Sequence, residues 1–447
     1  MSTIVALSTP RGRGAIGVIR LSGPSASSIV QSLTRYQHEF EPRKATLVQL
    51  HCGPGNTIID EVLITYFKSP NSLTGEDLFE IACHGSPAVI RQVIDTSLSL
   101  GARLAGPGEF TLRALSNGKI DLAEAEAIRD LIDSQTEAAA RQAARQLGGE
   151  LSKALEPLKN SLLEVIVILE SALEFVEDDL PAASQNEIED TLKTVSKKLD
   201  HWTKSYAAGH LLHDGVKVAI TGRPNVGKSS LFNKLVERDR AIVTDVPGTT
   251  RDTLTEAIDI GGIPVVLTDT AGLRTSVDDI ETLGIARAEQ AMSDADLILL
   301  VIDGSVPTTT DDEKLISDTA NARRLLVVNK SDLTTFSPEA ANGDTGLKVS
   351  AKTGEGIDAL RCAILAAFDS KGVESGGLLI TNARHHDLLA RSKREVDAAI
   401  QLLGERRSEE LILVPLHNGL RLLGEITGET TSEEILSRVF ATFCIGK

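Results

Sequence analysis

The sequence predicts a multidomain protein that combines an α+β domain, a helical domain and an inserted α/β domain of the phosphate-binding-loop (P-loop) type. Short runs rich in Val, Ile, Leu and Thr, bounded by Gly, Pro or Asn, fill residues 1–117. From residue 118 the apolar residues recur at helical spacing, and from Val216 buried-strand runs alternate with helical runs. A chain of 447 residues is long enough for about three domains.

Five runs in the first 117 residues have strand character. They are TIVALST, AIGVIRLSG, KATLVQLHCG, EVLITYFKS and DLFEIACHG. We expect a helix at SPAVIRQVIDTSLSLG, ending at Gly101, because glycine commonly follows the last turn of a helix. Strand runs together with a separate helix indicate an α+β domain.

Residues 118–213 and 376–447 are predicted to form one discontinuous helical domain. Ala, Leu, Glu and Arg recur at helical spacing in its first part, and Gly148 and Gly149 are expected to interrupt the helix. Helical patterns return in the second part, as in ARHHDLLARSKREVDAAIQLLGE. Insertion of residues 214–375 between the two parts is tolerated because domain termini often lie close together.

The inserted domain alternates strand runs with helical runs. Its strand runs are GVKVAITG, IPVVLTDTAG, ADLILLVIDG and RRLLVVNKSD, and this alternation favours a parallel sheet covered on both faces. GRPNVGKS, which starts at Gly222, follows the first strand and opens a helix, as a phosphate-binding loop requires. Its glycines let backbone N–H groups point at phosphate oxygens, and Lys228 adds a positive charge.

Later motifs indicate that the nucleotide is GTP. Asp269, in DTAG, is expected to hold Mg²⁺ through water, and Ser229 to ligate it directly. Asp332, in NKSD, can accept two hydrogen bonds from guanine, whereas adenine lacks that pair of donors. Asn329 would brace the base and the phosphate loop, and SAKTGEG from Ser350 fits a further loop against the base. The residues expected to contact GTP are Asn225, Val226, Gly227, Lys228, Ser229, Ser230, Thr244, Asp245, Val246, Pro247, Gly248, Thr249, Thr250, Asp269, Thr270, Ala271, Gly272, Asn329, Lys330, Asp332, Ser350, Ala351 and Lys352.

The motif set lacks one residue that many GTPases use for hydrolysis. Leu273 follows DTAG where many signalling GTPases carry a Gln that orients the attacking water. Asn225, with carbonyls of the switch loop TDVPGTTRD, could hold a monovalent cation that neutralises developing charge; the alternative is a turn residue. Thr250 in that loop suits Mg²⁺ and γ-phosphate contacts. Glu281 could act on water, and the alternative is a surface charge.

Composition limits which cellular compartment and which binding partners are expected for the protein. A net charge of −17 disfavours nucleic-acid binding except through a local basic patch, a substrate channel or a partner. The four cysteines are too widely spaced for a zinc cluster or a disulfide scaffold, which favours a reducing cytosol. No secretory signal is expected, because the N-terminal MSTIVALSTPRGRG has no basic stretch followed by a long apolar one. No membrane span is expected either, since Glu164 and Glu170 interrupt the apolar run LLEVIVILESALEF.

Several segments resemble the bacterial MnmE (TrmE) family of tRNA uridine-modification GTPases, which has a TrmE-Era-EngA-type G domain. They are GRPNVGKSSLFN, VTDVPGTTRD, DTAGLR, the N-terminal TIVALSTPRGRGAIGVIRLSG and the terminal FCIGK. More restrictive still are LTGEDLFEIACHG, PGEFTLRA and NGKIDLAEAEAI, so the resemblance covers essentially the whole chain. One departure is ACHGS at Ala82, where a more glycine-rich turn is expected.

The resemblance implies a cytoplasmic homodimer that pairs with the flavoprotein MnmG in a heterotetramer. Together they add an aminomethyl or carboxymethylaminomethyl group to C5 of the wobble uridine (U34) of certain tRNAs. A 5-formyl- or methylene-tetrahydrofolate bound by the N-terminal domains supplies the one-carbon unit, and potassium-dependent approach of the G domains gates the reaction. The alternative is a GTP-switched ribosome-assembly or RNA-binding factor without modification chemistry, which predicts an RNA-binding module that we do not find.

The resemblance also implies which residues of this chain correspond to the family's binding and catalytic residues. The potassium ligands correspond to Asn225, Thr244, Val246 and Thr249, and the magnesium ligands to Ser229 and Thr250. The catalytic glutamate corresponds to Glu281, and the folate contacts to Arg20, Glu80, Lys119 and Lys447. Basic residues with one carboxylate suit the glutamate tail and polar pterin of a folate.

Cys444 corresponds to the family's C-terminal cysteine, which is proposed to act in the modification chemistry. A thiolate is a good nucleophile where its pKa is lowered, and Lys447 could contribute to this. The alternative is a small buried hydrophobic residue.

Overall fold

The structure is a computed structural model, and contacts divide its chain into two units. Unit 1 comprises Met1–Arg129, Leu147–Ser152 and Gly424–Lys447, and unit 2 comprises Asp130–Gln146 and Lys153–Leu423. The residues that the structure describes are 2–52, 57–174, 182–239, 255–270, 290–336, 346–368, 377–429 and 431–446. None of the helices in these ranges is long and apolar enough to span a bilayer.

Unit 1 contains a six-stranded mixed sheet. Its strands are β1 (Ile4–Leu7), β2 (Ile16–Ser22), β3 (Ala45–Cys52), β4 (Thr57–Phe67), β5 (Leu78–His84) and β6 (Arg103–Leu104). Their spatial order is β3-β4-β5-β2-β1-β6, and only the β1–β6 pair is parallel. All five expected strand runs therefore form strands, whereas two-residue β6 is too short to show the alternation that identifies a strand.

Two helices pack against this sheet, α1 (Ala26–Thr34) and α2 (Pro87–Ser99). The expected α2 is confirmed: Pro87 occupies its first turn, and Gly101, with φ 102°, lies just beyond its end. Helix α1 was not expected, because its serine-rich sequence has weak helix propensity. Burial of Ile29 and Leu33 in the core of unit 1 stabilises it instead.

The helical region begins with α3 (Glu109–Ser116) and continues through α4 (Leu122–Asp133), α5 (Glu137–Leu147), α6 (Glu150–Glu174) and α7 (Ala182–Asp214). The expected break at Gly148 and Gly149 is confirmed, since α5 ends before this pair and Gly149 has φ 75°. Helix α7 has 33 residues and leads, through Gly215, into the first strand of the second sheet.

The second sheet, in unit 2, has the order β12-β11-β10-β7-β9-β8. Its strands are β7 (Val216–Thr221), β8 (Thr255–Ile260), β9 (Ile263–Asp269), β10 (Leu297–Asp303), β11 (Arg324–Asn329) and β12 (Leu347–Lys348). Helices α8 (Lys228–Asp239) and α9 (Thr310–Asp318) lie between strands along the chain, and α10 (Ile357–Ala366) follows β12. Apolar residues of these strands share one core with α8, α10 and the end of α7.

Strand β8 differs from the parallel sheet expected from the sequence, because it pairs antiparallel with β9. The two strands are joined by Gly261 and Gly262, with φ of 62° and 88°. A two-residue hairpin turn of the type that matches strand twist needs positive φ at both positions, which glycine adopts without strain. The Gly-Gly pair was therefore the sequence signal for this hairpin.

Three further helices follow the second sheet, as expected: α11 (Ala383–Gly404), α12 (Glu409–Thr427) and α13 (Glu433–Ala441). Helix α11 packs along α7. The Ser196 hydroxyl donates to Asp397 Oδ1 at 2.5 Å across this contact, and Lys393 pairs with Asp397 at 2.7 Å. The fold class expected from the sequence is thus confirmed, with α+β, helical and phosphate-loop α/β parts.

Candidate functional site

The expected nucleotide-binding motifs lie along one edge of the second sheet. Strands β7, β9, β10 and β11 are parallel, so their carboxyl ends meet at this edge, where open α/β sheets bind ligands. The register pairs Ile220 with Asp269, and Asp303 with Asn329. The sheet therefore brings together motifs that are far apart in the sequence.

Gly222, the first residue of the phosphate loop, is tightly packed against β10. A Cβ atom on Gly222, which has φ 152°, would lie 2.2 Å from the carbonyl oxygen of Val301. The buried Lys228 donates from Nζ to the carbonyl oxygens of Gly222 at 2.9 Å and Arg223 at 2.7 Å. Its ammonium is thus held over the loop at the N-terminus of α8, where a bound anion is favoured.

Asn225 lies at the exposed turn of this loop with φ 65°. Asparagine tolerates this left-handed conformation better than most residues. Asn225 is exposed, so a ligand can reach its side chain, and an amide oxygen is a hard ligand that suits an alkali cation.

Ser229 and Asp269 form the part of the site that suits Mg²⁺. The Ser229 hydroxyl donates to Asp269 Oδ2 at 2.7 Å, and Asp269 is fully buried. A hydroxyl and a carboxylate are hard oxygen ligands of the kind that Mg²⁺ prefers. Next to it, Thr270 Oγ1 donates to the Ile220 carbonyl at 2.8 Å and fixes the end of β9 against β7.

Asn329 joins the phosphate loop to the loop that begins at Ser350. Its Nδ2 donates to the Val226 carbonyl at 2.9 Å, and its Oδ1 accepts from the Ala351 N–H at 3.0 Å. The contact leaves no room for a side chain on Gly227, because a Cβ there would lie 2.2 Å from Asn329 Nδ2.

Asp332 is prepared for hydrogen bonding to a base. The Ser350 hydroxyl donates to Asp332 Oδ1 at 2.7 Å, and this bond lowers the pKa of the Asp332 carboxyl. The carboxylate is therefore ionised at neutral pH and accepts hydrogen bonds, as recognition of the guanine edge requires.

Sequence reasoning missed two ion pairs beside these motifs. Lys330, with φ 69°, places Nζ 2.5 Å from Asp303 Oδ2. Burial opposes ionisation of Asp303, but the bonds from Lys330 and Ser305 outweigh it and lower the Asp303 pKa. Arg223 Nε donates to Asp312 Oδ1 at 2.6 Å, which ties the phosphate loop to α9.

The second of these pairs did leave a sequence signal. Asp312 Oδ2 accepts from the N–H and the hydroxyl of Thr309 and closes a capping box at the start of α9. A Thr followed three residues later by an acidic residue marks such a helix start. Its partner Arg223 in the phosphate loop, however, is 89 residues away, and no local sequence pattern indicates this pairing.

The remaining expected contacts divide into described and undescribed residues. Ser230 and Lys352 are described and exposed. The other expected positions lie outside the described residues: Thr244, Asp245, Val246, Pro247, Gly248, Thr249, Thr250, Ala271, Gly272, Glu281 and Lys447.

Two of the expected folate contacts meet in the sheet of unit 1. Arg20 on β2 lies directly opposite Glu80 on β5, and its Nε donates to Glu80 Oε1 at 2.8 Å. Both side chains are partly exposed, at 24% and 31%, so a ligand can reach them. A guanidinium beside a carboxylate suits a molecule that has both acidic and donor groups. Lys119 lies elsewhere, exposed after α3 and next to Gly75.

The C-terminal segment packs onto β1. Gly446 accepts a hydrogen bond from the Ser8 hydroxyl at 2.9 Å, and a Cβ on Gly446 would lie 2.1 Å from the Leu7 carbonyl. Cys444 is exposed and its carbonyl accepts from the Gly108 N–H at 3.3 Å. The exposure of its thiol disfavours the alternative that Cys444 is a small buried hydrophobic residue.

Fold and site together define a phosphate-loop GTPase with two additional domains. Residues 3–119 match the family model described as GTP-binding protein TrmE N-terminus, and residues 122–444 match the MnmE helical domain. The chain therefore belongs to the MnmE family.

Curated relatives support this assignment. The chain is similar to the tRNA modification GTPase MnmE of Koribacter versatilis, with 46% identity over 100% of this chain and 99% of the relative. Identity to the same-named protein of Aquifex aeolicus is 41%, over 99% of each chain. Among solved structures, the chain is similar to the G domain of the T. maritima iron transporter FeoB, with 30% identity over 34% of this chain and 98% of that one and a TM-score of 0.27.

Proposed function

We propose that the protein hydrolyses GTP to drive modification of C5 of the wobble uridine in certain tRNAs. The reaction adds an aminomethyl or carboxymethylaminomethyl group, with the flavoprotein MnmG as partner and a tetrahydrofolate as one-carbon donor. The observation that carries the proposal is the bridge from Asn329 to Val226 and Ala351. It joins a phosphate-binding loop to a guanine-recognition loop in a chain of the MnmE family.

For GTP binding, different described residues would contact the phosphates and the base. Lys228 and the N–H groups at the start of α8 face the phosphates, and Asp332 accepts from the guanine edge. Ser229 and Thr250 would ligate Mg²⁺ and Asp269 would hold it through water, and the ion would neutralise phosphate charge when bound. With adenine, the Asp332 carboxylate would face no donors, and this gives the site its preference for GTP.

For hydrolysis, we assign Asn225, Thr244, Val246 and Thr249 to a potassium ion and Glu281 to the attacking water. A cation beside the phosphates offsets the charge that develops in the transition state. This assignment explains why a chain with Leu273 in place of the usual Gln still hydrolyses GTP. The exposed position of Asn225 in the phosphate loop supports it.

The salt dependence of GTP turnover tests the cation assignment. We expect wild-type protein to turn over GTP at least about tenfold faster in KCl than in NaCl, and Asn225→Ala to lose this difference. Asn321→Ala is the matched control, because Asn321 is an exposed asparagine of the same α/β region. Equal wild-type rates in the two salts would contradict the cation assignment while leaving GTP hydrolysis itself in place.

For the modification chemistry, we assign Arg20, Glu80, Lys119 and Lys447 to the folate and Cys444 to the reacting centre. The Arg20–Glu80 pair and the exposed Cys444 thiol support this assignment. Mass spectrometry of tRNA nucleosides from a deletion strain should show a wobble uridine without its substituent. Wild-type protein should restore the substituent, and Glu80→Ala and Cys444→Ser should not.

We also propose a domain organisation and a dimer. The domains comprise residues 1–117, residues 118–213 with 376–447, and residues 214–375, in a protein that acts on tRNA in the cytoplasm. Leu47 and Leu63 support dimerisation through the N-terminal domain, because they pair across β3 and β4 and are 62% and 47% exposed. Neighbouring exposed leucines commonly mark a protein interface.

A further inference from the structure

Helix α5 is attached at its start to the turn of the β8–β9 hairpin. The Thr136 hydroxyl donates to the Gly262 carbonyl at 2.7 Å and accepts from the Ala139 N–H at 3.2 Å, so it caps α5 and binds the turn at once. A Cβ on Gly262 would lie 2.8 Å from the Cβ of Ala138. Thr136 is only 5% exposed, so the hydroxyl bonds in a contact from which water is largely excluded.

The other end of α5 is attached to a second part of unit 2. Gln142 Nε2 donates to the Leu379 carbonyl at 2.9 Å, and Gln146 Nε2 donates to the same oxygen at 3.2 Å and to Thr381 Oγ1 at 3.1 Å. Both glutamines are buried. Helix α5 is thus fixed along its length by side-chain bonds, which makes it a stable support for the hairpin turn.

The hairpin leads directly from this support to the nucleotide site. Strand β9 begins one residue after Gly262 and ends at Asp269, whose carboxylate accepts from Ser229. Six residue steps of extended strand span about 20 Å. Because β9 is hydrogen-bonded to β7 on one side and to β8 on the other, regular structure and not a loop connects the turn with Asp269.

We propose that Thr136 is a positioning residue for the GTPase site. Its hydroxyl holds the β8–β9 turn on α5 and thereby sets the position of Asp269 relative to Ser229, where Mg²⁺ would bind. Coupling between two sites is reciprocal, so occupation of the magnesium site also changes the stability of α5. This inference rests on the proposed GTP hydrolysis and adds a residue that lies outside the nucleotide-binding motifs.

The test compares full-length Thr136→Val, which removes the hydroxyl at nearly constant shape, with Thr136→Ser, which keeps it. We expect Thr136→Val to raise the Mg²⁺ concentration for half-maximal GTP turnover by about threefold to tenfold, as coupling through a remote contact typically does. Affinity for GDP without Mg²⁺ should stay within about twofold, and Thr136→Ser should restore the wild-type Mg²⁺ dependence. If Thr136 only stabilised the fold, Thr136→Val would not change the Mg²⁺ dependence while leaving the affinity for GDP unchanged.

Thr194→Val is the matched control, because the Thr194 hydroxyl is exposed and donates to the Asp190 carbonyl of its own helix. It should leave the Mg²⁺ dependence unchanged. An unchanged Mg²⁺ dependence in Thr136→Val, or no recovery in Thr136→Ser, would overturn the proposal. Wild-type protein without GTP turnover would instead overturn the proposed function, so the two failures are distinguishable.

Hydrogen exchange of the wild-type protein gives a second test that needs no variant. Adding Mg²⁺ to the GDP-bound protein should slow exchange of the backbone amides of residues 139–146 by at least about threefold, through the reciprocal coupling. Equal exchange in the two conditions would overturn the proposal even if Thr136→Val does not fold.

Discussion

The Nδ2 atom of Asn329 lies 2.9 Å from the carbonyl oxygen of Val226, and this bond unites the two halves of the nucleotide site. One half would bind phosphates and the other the base. Because Asn329 is only 2% exposed, its two hydrogen bonds are protected from water. A nucleotide that binds to both halves therefore meets a site whose parts are already aligned.

Replacing Asn329 with Ala should weaken both stability and nucleotide binding. The change leaves the Val226 carbonyl and the Ala351 N–H without their partner, and each buried unsatisfied group costs about 1–3 kcal/mol. We expect a lower melting temperature and about 30-fold weaker binding of a fluorescent GTP analogue. Asn321→Ala is the control. A variant that binds the analogue as tightly as wild type would show that the bridge does not align the site.

Replacing Asp332 with Asn should change which base is accepted. An amide presents a donor where the carboxylate presents an acceptor, so binding of GTP should fall at least about 100-fold. Xanthosine triphosphate has a carbonyl where guanine has an amino group, and it should become the preferred nucleotide. Competition titrations with both nucleotides measure this, with the exposed Asp318→Asn as control. An unchanged preference for GTP would show that Asp332 does not contact the base.

The stability of unit 2 should depend on pH through His213. Hydrogen bonding to Asp130 raises the His213 pKa from 6.5 to about 9, against the opposing effect of burial. Because the folded-state pKa is the higher one, the stabilisation is fully present below pH 6.5 and is lost as the pH rises through 9. The side chain is 27% exposed, so after allowance for screening we expect about 2 kcal/mol.

Urea unfolding of wild type and His213→Gln at pH 6.5 and pH 10 measures this contribution. The free energy of unfolding should fall by about 2 kcal/mol more for wild type than for the variant over this interval. His201→Gln is the control, since His201 is exposed on the same helix. Parallel pH dependence of wild type and His213→Gln would show that the Asp130 contact does not stabilise the imidazolium.

Replacing Gly446 with Ala should displace the C-terminal segment from β1. Gly446 has φ 101°, and the new Cβ would lie 2.1 Å from the Leu7 carbonyl. If the segment contributes to the proposed folate site, affinity for 5-formyltetrahydrofolate in calorimetry should fall about tenfold or more. GTP turnover should stay within about twofold. Gly404→Ala is the control, because no atom of the described residues lies within 4 Å of the Cβ it adds. Unchanged folate affinity would show that the C-terminal segment does not contribute to the folate site.

Local patterns predicted the motifs well because their chemistry is local. The phosphate loop needs glycines and a lysine within one turn between a strand and a helix, and the structure has GRPNVGKS in that context. Prediction was weaker where packing overrides propensity: α1 forms from a serine-rich segment, and β8 returns antiparallel through Gly261 and Gly262.

By itself, the sequence determined the class of nucleotide, the strand and helix types around the motifs, and the family, since each depends on short runs of residues. Only the tertiary structure decided which side chains hold those motifs in place. Arg223 meets Asp312 across 89 residues, and Thr136 meets Gly262 across 126. Such pairs arise when sheet order and helix packing bring distant segments together, and no periodicity in the chain encodes that separation.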